Sequence, residues 1–154
     1  MIIFSGTFLG YSSLRLASQT SGNALIVTVE AKSDAAKIAR RIHEHAGVAP
    51  RIHIVNDASD KAIPRLSEMF NIDSFDLIFI DHHKAAYVRD VQPLEQLGLI
   101  KQGTVIVADN VITPGAPEYL KYIRNSPNYT SQLHESNLEY SNDTPDGVEV
   151  SVRL

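Results

Sequence analysis

Two apolar runs in this chain stop on oxygen-bearing side chains. Asp81 follows Phe75-Asp76-Leu77-Ile78-Phe79-Ile80, and the pair Asp109-Asn110 follows Thr104-Val105-Ile106-Val107-Ala108. If the two runs are neighbouring strands, two carboxylates and an amide oxygen converge. Such hard donors suit Mg²⁺, which also keeps water and substrate oxygens in its shell. Taken singly, either aspartate also reads as a residue that ends a strand and caps the next segment. Lys84, three residues beyond Asp81, is of the type that could act as general base toward a hydroxyl held by a divalent cation. It reads equally as a solvated surface charge. His82 and His83 raise a transition-metal alternative, but adjacent side chains on a strand point to opposite faces and rarely chelate together. Glu139, in Asn137-Leu138-Glu139-Tyr140 on a late strand, reads either as an acceptor for a second substrate hydroxyl or as a solvent-facing charge.

A second group is built on glycine. Gly6 and Gly10 bracket a strand-to-helix turn, and Glu30 closes the following strand. The glycines let the backbone approach a ligand, and the carboxylate can accept hydrogen bonds from ribose hydroxyls. The spacing is G-x-x-x-G rather than G-x-G-x-x-G, which favours adenosylmethionine over a dinucleotide. Two glycines alone would be an ordinary turn. Ser59-Asp60 falls where an adenine-contacting pair would sit, although Ser59 also reads as a helix N-cap.

These residues require a particular framework. Strands are expected at 2–4, 25–29, 52–55, 75–80 and 104–108. Helices are expected from 11 to about 18, from the Ser33-Asp34 cap to 46, over 59–70, from about 85 to 97 with a bend near Pro93, and from Pro117 to about 124. The tail, 129–140 and 148–152, alternates like two antiparallel strands around Thr144-Pro145-Asp146-Gly147. Five strand–helix alternations and a terminal hairpin predict an α/β fold: a doubly wound, mostly parallel sheet. Ligands of such sheets bind beyond the carboxyl ends of the strands, where the acidic residues and the glycine turn both fall.

Composition narrows the choices. The chain has 154 residues, 44% hydrophobic and 21% charged, within the range of one globular domain over 1–154. A net charge of −4 speaks against nucleic acid as partner. No apolar run approaches the length of a membrane span and no signal peptide is evident, so a cytoplasmic location is expected. The absence of cysteine excludes disulfides, thiolate zinc sites and Cys nucleophiles.

Phe8-Leu9-Gly10-Tyr11-Ser12, Phe79-Ile80-Asp81-His82, the long segment Val107-Ala108-Asp109-Asn110-Val111-Ile112-Thr113-Pro114-Gly115-Ala116-Pro117 and Leu138-Glu139-Tyr140 together resemble catechol O-methyltransferase, in the same order along essentially the whole chain. The resemblance implies a Rossmann-like methyltransferase fold with a seven-stranded sheet and one antiparallel strand. It also implies a Mg²⁺-dependent transfer of methyl from S-adenosylmethionine to a catechol hydroxyl. Carried over by position, Asp81, Asp109 and Asn110 would hold the metal. Lys84 would deprotonate one hydroxyl and Glu139 would bind the other. Asn110 and Pro114 would also contact the substrate, and Gly6, Ser12, Glu30, Ser59 and His82 would line the cofactor pocket.

The chain departs from that family in the cofactor half. Phe4 stands where the family has a glutamate, His83 where it has a tryptophan packed on adenine, and Asp60 where it has a glutamine. The family also carries helices ahead of the first strand, whereas this sequence begins directly with Met1-Ile2-Ile3-Phe4, as a chain truncated at its N-terminus would. The departures motivate an alternative reading, a non-catalytic or cofactor-impaired relative that acts in binding or assembly. They also predict a homo-oligomer that covers the sheet face those helices would occupy.

Overall fold

The computed structural model describes residues 1–154, apart from the side chains of Phe4 and Ser5. The departure noted at Phe4 therefore lies outside the described residues. Seven strands form one sheet: β1 (Ile2–Ser5), β2 (Ile26–Val29), β3 (Ile52–Val55), β4 (Phe75–Ile80), β5 (Ile100–Ala108), β6 (Tyr129–Asn137) and β7 (Pro145–Arg153). Their order is β3-β2-β1-β4-β5-β7-β6. Strands β1 to β5 pair in parallel, and β7 lies antiparallel to both β5 and β6. This is the expected doubly wound sheet with a terminal hairpin. Its order reverses between β1 and β4, the kind of switch point at which open α/β sheets bind ligands.

The helices follow the buried periodicity. α1 (Tyr11–Gln19) packs on β2, and α2 (Ser33–His45) packs on β3. α2 buries Ala35, Ala36, Ala39 and His43, a stripe of mostly small residues that brings its axis close to the glycine turn after β1. α5 (Tyr87–Gln96) buries Tyr87, Asp90, Val91 and Leu94, at i, i+3, i+4 and i+7, and runs on through Pro93. α6 (Pro117–Asn125) opens on its proline, where the missing N–H costs nothing. β2 is buried along its whole length, as its unbroken Ile-Val-Thr-Val run requires of a central parallel strand. Among the described residues, no helix is long and apolar enough to cross a membrane.

Three expectations change. The helix over 59–70 is two short helices, α3 (Ser59–Ala62) and α4 (Leu66–Phe70), joined by a 3₁₀ turn at Ile63–Arg65, because Pro64 cannot donate to the helical ladder. Ser33 and Ser59 are first helical residues rather than caps; Lys32 and Ala58 hold the cap positions. The hairpin turn lies at 138–144, not 144–147, since Asn137 already pairs with Pro145. Pro145-Asp146-Gly147 is drawn into β7 because the Asp146 carboxylate accepts hydrogen bonds from the segment after β5. Gly147 is closely packed: a Cβ there would lie 3.0 Å from Leu133 Cδ1 and 3.1 Å from the His134 carbonyl oxygen, so its neighbours would have to give by a few tenths of an ångström.

The two sheet faces are unequal. On one, Ile78, Ile80, Ile106 and Ala108 are buried in the main core with Val91 and Leu94 of α5 and Ile123 of α6. On the other, Leu77 pairs with Val105, Val105 with Val152, and Val107 with Val150, yet all five residues remain half-buried.

Candidate functional site

The reversal of strand order sets the ends of β1 and β4 side by side. Gly6 takes φ +103, and a Cβ on it would stand 2.2 Å from the Asp81 carbonyl oxygen and 3.3 Å from His82 Cβ. Only glycine permits that approach. Gly10, at φ +89, is confined in the same way by α2: its Cβ would meet His43 Nε2 at 2.6 Å and Ala39 Cβ at 3.1 Å.

A cleft of about 630 Å³ opens at this junction. Gly6, Glu30, Ser59 and His82 line it, together with Asp81 and the exposed His83. The Glu30 carboxylate is held from both sides: Oε2 accepts from the Phe8 N–H at 2.8 Å and Oε1 from the Lys32 N–H at 2.8 Å. Those bonds fix its orientation and leave further lone pairs for a ligand hydroxyl. Ser12 lies on the first turn of α1 and is not part of the lining, and neither is the exposed Asp60. His82 turns inward, with Nε2 2.8 Å from Oδ2 of the buried Asp90. Ring and carboxylate touch without the alignment of a good hydrogen bond. His83 is exposed at the same cleft, and both histidines lie beyond the end of β4 rather than on a strand.

On the far side of Asp81 lies a cage of oxygens, and a cation already occupies it. Lys84 Nζ donates to Tyr87 Oη at 2.7 Å, Asn110 Oδ1 at 3.0 Å, Asp81 Oδ1 at 3.2 Å and the Asp109 carbonyl at 3.3 Å. Tyr87 Oη donates in turn to the Asp109 carbonyl at 3.0 Å. Burial raises the Asp81 carboxyl above its ordinary range; the nearby Lys84 opposes this, while the Asp109 and Glu139 charges add to it. Burial likewise pushes the Tyr87 phenol well up, with the Asp81 and Asp109 charges in support, so its hydroxyl stays protonated as a donor. The Asp109 side chain itself accepts from the Asn110 N–H at 2.8 Å.

Asn110 owes its position to a residue that sequence reasoning did not assign. Its backbone is left-handed at φ 52, and its Nδ2 donates to Asp146 Oδ2 at 2.7 Å. Asp146 Oδ1 accepts the N–H groups of Thr113 at 3.0 Å and Ile112 at 3.3 Å. Burial alone would raise the Asp146 carboxyl, but the hydrogen bonds from Asn110, Thr113, Gly147 and Ile112 together bring it below the usual value. Tyr87, Asp90 and His43 were also missed; burial within amphipathic helices was the only sequence signal any of them carried. Glu139 lies in the exposed turn beyond β6 rather than on a strand, near enough for its charge to act on Asp81. Pro114 is exposed on the irregular turn Val111–Gly115 that follows Asn110.

The donor chemistry fits a hard divalent cation: the Asp81 carboxylate, an amide oxygen, a phenol oxygen and a main-chain carbonyl close on one point, the Asp109 carboxylate belongs to the adjoining residue, and an ammonium stands at that point now. Among the described residues, no group of three or more His, Asp or Glu side chains gathers as a metal site, so the fit depends on the Asn110 and Asp109 carbonyl oxygens.

Comparison with known proteins matches residues 1–144 to the O-methyltransferase family. Catechol O-methyltransferase B of Danio rerio is 45% identical over 149 residues, 97% of this chain and 56% of that protein. Catechol O-methyltransferase of Bos taurus is 40% identical over 144 residues, 94% of this chain and 53% of that one. The chain thus spans about half the length of these curated relatives. Among solved structures, an O-methyltransferase from Bacillus cereus in complex with SAH superposes with a TM-score of 0.86 at 25% identity, over 99% of this chain and 73% of that one.

Proposed function

The chain belongs to the O-methyltransferase family, and from that premise we propose that it transfers a methyl group from S-adenosylmethionine to a hydroxyl of a catechol, with Mg²⁺ in the oxygen cage. The observation that carries this reading is the shared wall. Asp81 lines the cleft with its neighbours Gly6 and His82 and also offers Oδ1 to the cage, so a donor in the cleft and an acceptor at the cage would meet across one residue. Relatives named for catechol methylation support the substrate class, and an SAH-bound structural neighbour supports the donor.

In this mechanism Glu30, held by two backbone N–H groups, receives the ribose hydroxyls. Gly6 lets the donor lie against the backbone, and Ser59 and His82 close the cleft around it. Asp81, Asp109 and Asn110 would hold the metal, which when bound acidifies the attacking hydroxyl and orients its oxygen. Lys84 Nζ, after giving one of its three protons to solvent, takes the proton of that hydroxyl as a neutral amine, Glu139 accepts a hydrogen bond from the second hydroxyl, and Pro114 flanks the aromatic ring. Proximity and alignment then do most of the work of an in-line transfer.

Calorimetric titration with S-adenosylmethionine, with and without Mg²⁺, tests the reading first, and mass-spectrometric detection of methylated catechol tests it second. Absence of heat at millimolar cofactor would remove the enzyme reading. Given turnover, Asp109→Ala should lower it by roughly a hundredfold or more while leaving cofactor affinity in place. A second reading, a methyltransferase-like binding protein, draws on His83 and Asp60 in the cofactor half; it predicts cofactor silence in the same titration. We also propose a cytoplasmic setting and self-association through the half-buried face of Leu77, Val105, Val107, Val150 and Val152. A monomer in sedimentation velocity at tens of micromolar would refute the association.

A further inference from the structure

The ammonium of Lys84 sits where the proposed metal has to go. Four oxygens surround Nζ at 2.7 to 3.3 Å, more acceptors than its three protons can serve one to one. The side chain is only 15% exposed, so these oxygens replace the water the charge has lost. The Tyr87 ring adds to this, with its centroid 5.1 Å from Nζ.

That arrangement is sized for an ammonium. Mg²⁺ holds its oxygens at about 2.0–2.1 Å in a near-octahedral shell. Oxygens lying 3.0 to 3.3 Å from Nζ must therefore close by about 1 Å to ligate it, and nothing of Lys84 can remain between them. Two cations at that separation also repel. Much of the surrounding cage is anchored: Asn110 is tied to Asp146, and Tyr87 Oη is tied to the Asp109 carbonyl. The part free to move is the four-carbon stem of Lys84, at the first residue of the 3₁₀ turn Lys84–Ala86.

We infer that Lys84 is a built-in counter-cation: its ammonium holds the oxygen cage assembled in the metal-free protein, and a divalent cation binds only by displacing it toward the cleft. The inference rests on the metal reading proposed above and adds to it. Lys84 competes with the metal before it acts on substrate, and the displaced ammonium is delivered to the cage rim where a hydroxyl would lie, losing a proton to solvent before it can serve as base. Competition of this kind weakens the apparent metal affinity by the fraction of protein whose cage is open.

The test uses the whole chain without substrate. Mg²⁺ affinity is measured by calorimetry for wild type and Lys84→Met. Acylation of each lysine by an amine-reactive ester is followed by mass spectrometry with and without Mg²⁺, with the exposed Lys37 and Lys101 as internal references. The expected result is Lys84 labelling that rises several-fold at saturating Mg²⁺ against unchanged references, together with Mg²⁺ affinity about tenfold higher in Lys84→Met. If Lys84→Met does not fold, the wild-type labelling decides alone. Mg²⁺ binding with unchanged Lys84 labelling overturns the displacement, even if Lys84→Met binds more tightly, because loss of a positive charge then explains the gain. If neither protein binds Mg²⁺ at millimolar concentration, the metal reading falls and the displacement with it.

Discussion

On the cleft side of Asp81 the geometry follows from what cannot fit, and on the cage side from which charges must be answered. A side chain at Gly6 would collide with the Asp81 carbonyl and one at Gly10 with His43, so the turn after β1 is shaped by excluded volume. The cage has few such steric limits. Its shape comes from hydrogen bonds: the Lys84 ammonium donates to the Asp81 carboxylate and the Asn110 amide, and that amide is held in turn by Asp146. Steric construction tolerates almost no substitution but is insensitive to salt and, apart from the buried His43 beside Gly10, to pH. Electrostatic construction tolerates substitution in place but depends on protonation and on which cation is present.

The comparison can be broken at its hinge. Gly6→Ala inserts a methyl 2.2 Å from the Asp81 carbonyl at a backbone angle alanine avoids. It should cost about 3 kcal/mol or more and disturb both sides together. Thermal melting and titration with S-adenosylmethionine and Mg²⁺ would show it; a variant that melts and binds like wild type would mean the two sides do not share a wall. A change confined to the cage should be more selective. Asp146→Asn loosens the hold on Asn110 and should weaken Mg²⁺ binding roughly ten- to a hundredfold while cofactor affinity stays in place. An equal loss of both affinities would mean that cleft and cage do not respond separately.

The smallest effect is the sharpest check on the steric side. His43 is 1% exposed, with Nε2 2.9 Å from Ser13 Oγ and 3.2 Å from the Gly10 carbonyl. Burial holds its pKa below the ordinary histidine value, against a smaller opposing influence from the Gly10 carbonyl. The unfolded chain therefore takes up the proton more readily. The stabilisation from neutral His43 is complete above about pH 6.5 and is lost as the pH falls through the depressed native value. His43→Gln should remove that component and so shrink the drop in Tm between about pH 7.5 and pH 5.5. An identical pH dependence in the two proteins would show that the Gly10 turn does not feel that proton.

Much of the framework is legible in the sequence. The β-branched Ile-Val-Thr-Val run of β2 reads as a strand, and Asp81 and Asp109-Asn110 ended β4 and β5 where expected. What escaped were contacts between residues far apart in the chain. Pro145-Asp146-Gly147 has the local chemistry of a turn, and local chemistry lost because three backbone and side-chain donors at the end of β5 needed a buried acceptor. Nothing in the sequence sets His43 apart from the other polar residues of α2; its role comes from the approach of that helix to Gly10.

The order of apolar runs, turns and helical stripes was thus enough to specify a doubly wound sheet and to place acidic and glycine-rich segments at the same edge, because periodicity and backbone propensity act over a few residues. Which residues bear on one another was decided only in three dimensions. The placing of β4 beside β1 makes Gly6 indispensable, and the pairing of β5 with β7 supplies Asn110 with Asp146. The cage that results encloses Lys84 because a buried ammonium must find oxygens, wherever along the chain they originate.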